Sequence, residues 1–106
     1  MFYAYIMASH RRVLYIGFTS RLQARVWEHQ HDVDPESFTA RYRVHKLVYF
    51  ERFSRSLTAI AREKELKSWR REKKVALINA NNPKWRDLSA GWGRPLKMPA
   101  FKPDAK

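Results

Sequence analysis

Hydrophobic and polar residues alternate along residues 2–7, with Tyr3, Tyr5 and Met7 on one face of an extended chain and Phe2, Ala4 and Ile6 on the other. This predicts a first strand. After the polar break Ser9-His10-Arg11-Arg12, the β-favouring run Val13, Leu14, Tyr15 and Ile16 predicts a second strand, stopped by Gly17, and the two strands make a hairpin. Any register with an even index sum puts Tyr5 and Tyr15 on the same side. Thr19 and Ser20 then offer N-cap hydroxyls, and Ser20 with Gln23 fits a Ser-x-x-Gln capping box. A helix is therefore expected over residues 21–31, with Leu22, Val26 and His29 turned inward and Arg25 stacked beside His29 on the flank of that stripe.

Residues 32–37, which include Pro35, read as a loop. The stretch 38–44 that follows is basic and aromatic, either a solvated loop or a surface suited to a nucleic-acid backbone. A third strand is expected over residues 45–53, as the central or second-edge partner of the hairpin, with Leu47, Tyr49 and Glu51 alternating against Val48, Phe50 and Arg52. Ser56 opens a helix running to about residue 69 on Leu57, Ile60, Ala61 and Leu66. Glu63 falls three residues after Ile60 and three before Leu66, inside that stripe. A carboxylate there is costly unless it is paired, for instance with a core-facing arginine, or holds a metal. Glu65 faces away as an ordinary surface charge. Residues 70–81 predict a further helix carrying Val75, Leu77 and Ile78, ended by Asn79-Ala80-Asn81-Asn82-Pro83 because proline disfavours helix in the residue before it. Trp85 and Leu88 are expected to pack back on the domain, and the Pro-containing basic stretch 91–106 to form a flexible tail after a domain of residues 1–90.

Charge changes the picture most. The 106 residues carry 22 Lys and Arg against 10 Asp and Glu, a net charge of +12. Such an excess attracts polyanions, with nucleic acid the first candidate and an acidic membrane surface the competitor. The basic residues cluster at Arg41, Arg43 and Lys46 and again at Arg70, Arg71 and Lys74. No apolar run approaches the roughly 20 residues needed to span a bilayer, and no signal-peptide core follows the start, so a cytoplasmic protein is expected. Zero cysteines exclude disulfides, a disulfide-linked partner, cysteine zinc clusters and thiol catalysis.

Within this basic chain, a tyrosine at a strand end and an arginine in the first turns of a helix meet in one short segment. A phenol can hydrogen-bond or transfer a proton, and a guanidinium grips phosphate oxygens with a planar fork. The pair suggests chemistry on a phosphate ester.

Tyr3-Ala4-Tyr5, the ten residues from Tyr5 to Tyr15, Tyr15-Ile16-Gly17, Arg25 eight residues past that glycine, His29, and Glu63 on a later helix together resemble the GIY-YIG nuclease domain. That family includes homing and restriction endonucleases and the incision domain of an excision-repair nuclease. The segments Leu-Tyr-Ile-Gly, Arg-Val-Trp-Glu-His, Ala-Arg-Glu-Lys-Glu-Leu-Lys and Asn-Pro-Lys-Trp-Arg-Asp-Leu resemble its small single-domain bacterial branch, UPF0213 or YhbQ-like. The likeness covers about residues 2–88. Tyr3 and Ala4 stand in place of the Gly-Ile of the family's name.

The resemblance implies an α+β fold, a three-stranded antiparallel sheet flanked by helices in the order β-β-α-β-α-α. It implies that Glu63 holds one divalent cation, Mg²⁺ or another such as Mn²⁺. Tyr5 would assist removal of a proton from the attacking water, Tyr15 and His29 would shape that network, and Arg25 would bind the scissile phosphate. Asn82 would fill the role of the family's late asparagine, with Asn79 and Asn81 as competitors. A free phenol is a poor base at neutral pH, so Tyr5 needs cationic neighbours or a metal. A lone carboxylate binds Mg²⁺ weakly, so phosphate and waters must complete its shell. The favoured function is a metal-dependent DNA endonuclease, weakly sequence-specific or structure-selective, or one targeted by a protein partner. The alternatives are a non-catalytic nucleic-acid-binding module of the same fold and an interaction subunit that docks through its basic tail.

Overall fold

Strand β1 (Phe2–Ser9) is the middle of a three-stranded antiparallel sheet, with β2 (Leu14–Thr19) and β3 (Val44–Phe53) at its edges, in a computed structural model that describes residues 1–92. A central strand needs two faces that can be buried, and every residue of β1 from Ala4 to Ser9 is buried. The sheet carries α1 (Leu22–Gln30), the one-turn α2 (Phe38–Arg41), α3 (Ser56–Ser68) and α4 (Arg71–Asn81). The expected order therefore holds, with α2 added in the stretch read as a loop or backbone-contacting surface.

The two faces of the sheet hold separate cores. Ala4, Ile6 and Ala8 of β1 pack with Ile16, Val48, Leu66, Ile78 and Trp85, under α3 and α4. Tyr5 and Met7 pack with Leu22 and Val26 of α1 and with Val44 and Leu47. β1 and β2 pair with Tyr5 opposite Gly17 and Met7 opposite Tyr15, an even-sum register that sets both tyrosines on the α1 face. In β3 the pairing with β1 skips Val48 and His45, one extra residue at each point. Side-chain amides capture the carbonyls of both: Asn82 Nδ2 donates to Val48 O at 3.1 Å, and Gln30 Nε2 donates to His45 O at 3.1 Å.

Three local expectations are corrected. Gly17 does not stop β2, which continues to Thr19. The Ser20–Gln23 capping box does not form, because α1 starts one residue later with Arg21 as its N-cap; Thr19 Oγ1 instead accepts the Arg21 N–H at 3.0 Å. The packed stripe of α3 is also rotated: Ala59 and Leu66 are fully buried, whereas Leu57 is 79% exposed and Ala61 is exposed. The residues that face the sheet recur at helical spacing from Ala59 through Glu63 to Leu66, and the side chain of Glu63 is only 16% exposed.

Trp85 packs into the core as expected, while Leu88 is half-exposed and joins β3 through its backbone N–H, which donates to Leu47 O at 2.7 Å. Trp92 packs against the Tyr5 core and meets Phe50 edge-on at 6.3 Å between ring centres. The remainder of the expected tail, from residue 93, lies outside the described residues. Among the described residues no helix is long and apolar enough to cross a membrane.

Candidate active site

Gly17 has its place because of a ring, not a turn. A Cβ built on it would lie 2.5 Å from both Cζ and Oη of Tyr5. The Tyr5 ring, rooted on the central strand, therefore lies across the edge strand β2, and its hydroxyl is carried to that side of the sheet. Only glycine leaves the space.

Tyr5 is 1% exposed, and its Oη lies 2.9 Å from His29 Nε2. His29 reaches this point from the inward stripe of α1, one turn beyond Arg25 and beside Val26. Tyr15 closes the group, its ring centre 6.2 Å from that of Tyr5 and 5.0 Å from that of His29. Burial pulls the His29 pKa from its ordinary 6.5 down to about 4, and the positive charge of Arg25 pushes the same way. The imidazole is thus neutral at neutral pH, with one ring nitrogen donating and the other accepting. The Tyr5 phenol is moved up by burial first, then by Tyr15 and by the carboxylate of Glu63, while Arg25 opposes the rise.

Arg25 and Glu63 thus both act on the Tyr5 phenol, in opposite directions. The Arg25 guanidinium is half-exposed and bonded to Glu28 at 2.9 Å on its own helix, so it can turn to an incoming anion without leaving an uncompensated buried charge. Glu63 belongs to the helix layer on the other side of the sheet, yet its charge acts on the Tyr5 hydroxyl, which lies at the β2 edge. Its partner is not the core-facing arginine considered above. Glu63 Oε2 pairs with the exposed Lys67 at 2.8 Å, and Arg62 is taken by Glu51 and Glu65.

No group of three or more His, Cys, Asp or Glu is arranged to hold a metal ion among the described residues. Glu63 is a single, largely desolvated carboxylate with one lysine partner. That set suits a hard cation only as one ligand among waters and substrate oxygens.

Asn82 is not brought to the tyrosines. It is 7% exposed, its Nδ2 bonds Val48 O and Arg86 O, and its Oδ1 accepts the Arg86 N–H. It clamps the chain at β3, two strands from the β2 edge to which Tyr5 reaches. Asn79 Oδ1 accepts the Trp85 indole N–H at 2.6 Å, and Asn81 Nδ2 donates to Leu77 O at 2.9 Å.

One basic cluster borders the β1–β2 turn, and the other reaches it through Arg71. Arg41, Arg43 and Lys46 line a groove of about 660 Å³ with His10, Arg11 and Tyr42, and Lys46 Nζ donates to Trp85 O at 3.1 Å. From the other side Arg71 donates to Arg12 O at 2.8 Å, while Arg70 caps α4 and Lys74 lies in its first turns.

Two residues escaped the sequence reading. Thr39 is 2% exposed and its Oγ1 lies 2.9 Å from His29 Nδ1; Ser37 caps α2 and lies 3.2 Å from Thr39 Oγ1. The available signal was Ser37 as a helix N-cap, which would have turned Thr39 away from the exposed Phe38, Arg41 and Tyr42.

Known proteins bear on this geometry. The family model described as the GIY-YIG catalytic domain matches residues 1–76. A UPF0213 protein of Haloquadratum walsbyi is 39% identical over 75 residues, 71% of this chain and 83% of the relative. A UPF0213 protein of Clostridium perfringens is 34% identical over 84 residues, 79% of this chain and 89% of the relative. Relatives thus come from archaea as well as bacteria. The solution structure of a UPF0213 protein from Bacillus halodurans superposes with a TM-score of 0.53 at 22% identity, covering 86% of this chain and 98% of that one, and shares the fold.

Proposed function

The chain belongs to the GIY-YIG family, a family of nucleases, and from that premise we propose that it is a metal-dependent endonuclease hydrolysing phosphodiester bonds in DNA. The observation that carries the reading is the buried Tyr5–His29 hydrogen bond of 2.9 Å, beside Tyr15 and within the fields of Arg25 and Glu63. The hydrogen bond aligns the phenol with the imidazole for a concerted proton shift, and the half-exposed guanidinium at the rim supplies the anion contact.

In this reading the scissile phosphate docks on Arg25, whose fork matches two phosphate oxygens. A water beside Tyr5 gives its proton to the phenol oxygen as the phenol passes its own proton to His29 Nε2. The water oxygen bonds to phosphorus, the bond to the leaving oxygen breaks, and that oxygen keeps the electron pair and takes a proton from solvent. His29 later returns its proton to solvent. Tyr15 packs against both rings and holds them in line. Glu63 would hold Mg²⁺ or Mn²⁺, which when bound supplies positive charge to the phosphate and leaving oxygen. The basic surface around the β1–β2 turn draws the nucleic acid in, with Arg41, Arg43, Arg70 and Arg71 at hand for the backbone.

The test is cleavage of branched, nicked, single-stranded and duplex DNA with Mg²⁺, alongside Glu63→Gln and Arg25→Ala. Glu63→Gln should reduce cleavage roughly 100-fold or more while metal-free binding holds. Arg25→Ala should weaken both binding and cleavage. A folded Glu63→Gln protein that cuts as well as the parent refutes the metal assignment, and a parent that binds every substrate and cuts none supports the binding-module reading.

A further inference from the structure

We propose that Thr39 is a positioning residue for the Tyr5–His29 pair: its hydroxyl oxygen accepts a hydrogen bond from the Nδ1–H of His29 and so keeps the Nε2 lone pair directed at the Tyr5 hydroxyl. The inference rests on the nuclease reading for its effect on rate, but its geometry stands apart from that reading.

The hydrogens can be assigned by exclusion. Tyr5 is 1% exposed, and among the described residues its hydroxyl bonds to His29. A buried phenol must place its hydrogen on an acceptor, so Nε2 accepts. The neutral imidazole then carries its own hydrogen on Nδ1, which faces Thr39 Oγ1 at 2.9 Å. Thr39 Oγ1 also lies 3.2 Å from Ser37 Oγ, which accepts the Ala40 N–H. The Tyr5 and His29 donors thus point the same way, toward Thr39. The reverse order would leave the Tyr5 hydrogen without an acceptor among these residues.

The local structure explains why a threonine does this. A helix of four residues has no stability of its own. α2 is held by the Ser37 cap and by Thr39, its one buried residue, while Phe38, Arg41 and Tyr42 stay on the surface. The β-branched side chain of Thr39 is stiff about its first torsion, so the hydroxyl is presented to His29 at little entropic cost. A base oriented by a third group is the general arrangement by which a proton-transfer pair is kept in one tautomer.

Thr39→Val keeps the shape and removes the hydroxyl; Thr39→Ser restores a hydroxyl without the methyl. Nitrogen-15 NMR of the imidazole rings reads the His29 tautomer directly and needs no substrate. The parent and Thr39→Ser should show His29 protonated on Nδ1, and Thr39→Val should shift it toward Nε2 or a mixture. On DNA, Thr39→Val should lower kcat about 10- to 100-fold, the scale of losing a group that orients a working histidine, with KM little changed and Thr39→Ser recovering most of the rate. A parent His29 protonated on Nε2, or a folded Thr39→Val that retains both tautomer and kcat, overturns the proposal. If Thr39→Val does not fold, the parent and Thr39→Ser spectra still decide. A parent that cuts no DNA but shows the predicted tautomers would leave Thr39 as the positioning residue and sink the nuclease reading alone.

Discussion

The two faces of the sheet are built from the same strands, yet they are packed by different rules. Under α3 and α4 the buried core is apolar, closed by Leu66, Ile78 and Trp85, and Tyr49, packed at its margin, bonds to Glu51, which pairs with Arg62. Asn82, the polar group buried beside it, spends its amide on the backbone of Val48 and Arg86. Under α1 and α2 the core contains a phenol, an imidazole and a hydroxyl that bond to one another. Most buried side-chain hydrogen bonds go to backbone, and such bonds maintain structure. A chain of buried side chains bonded to each other adds little that aliphatic residues could not supply more cheaply. The α3–α4 face keeps its linked polar side chains at the margin, so the buried Tyr5–His29–Thr39 bonds are what distinguish the α1–α2 face.

The comparison breaks most visibly if one substitution is made on each face. Ile6→Ala should cost about 2–5 kcal/mol of unfolding free energy, because the fully buried site beneath α3 cannot collapse, while cleavage by the folded fraction stays near the parent level. Tyr5→Phe should do the reverse, losing only about 1 kcal/mol through the unpaired His29 nitrogen while cleavage falls roughly 100-fold or more. Denaturant titrations and single-turnover cleavage on the same samples would check both, and a Tyr5→Phe protein with full activity would remove the distinction between the faces.

Acid should act through the polar face. His29 has a folded pKa of about 4 against an ordinary 6.5, so between these values the unfolded chain binds the proton and the folded one does not. Stability contributed by the neutral imidazole is complete above pH 6.5 and is lost as pH falls toward 4, by about 3 kcal/mol in all. Urea titrations across that window should show the slope in the parent and its absence in His29→Gln. Equal slopes in the two proteins would mean that the histidine is not held neutral by burial.

The smallest effect sharpens the contact at the β2 edge. Gly17→Ala forces the Tyr5 ring aside and should cost about 1–3 kcal/mol. In a Tyr5→Ala background the same change should cost far less, since the ring that fills the space has gone; additive costs in a double-mutant cycle would place the ring elsewhere.

Most of the fold could be read from periodicity. The alternation in residues 2–7, the helical stripe Leu22, Val26 and His29, and the Pro83 stop each report a local constraint that short stretches of sequence carry in full. The side of the hairpin shared by Tyr5 and Tyr15 followed from parity alone, and the pairing observed is an even-sum one. The carboxylate in the α3 stripe was visible too, though its helical face was misplaced because Leu57 and Ala61 are as apolar as the residues that do pack. What the sequence could not contain was distance. That Gly17 makes room for a ring, that Thr39 meets His29 across ten residues, and that Asn82 binds β3 instead of joining the tyrosines all depend on which segments pack together. A glycine, a threonine and an asparagine each have several local uses of similar free energy, and only the long-range packing of β1 against its neighbours selects among them.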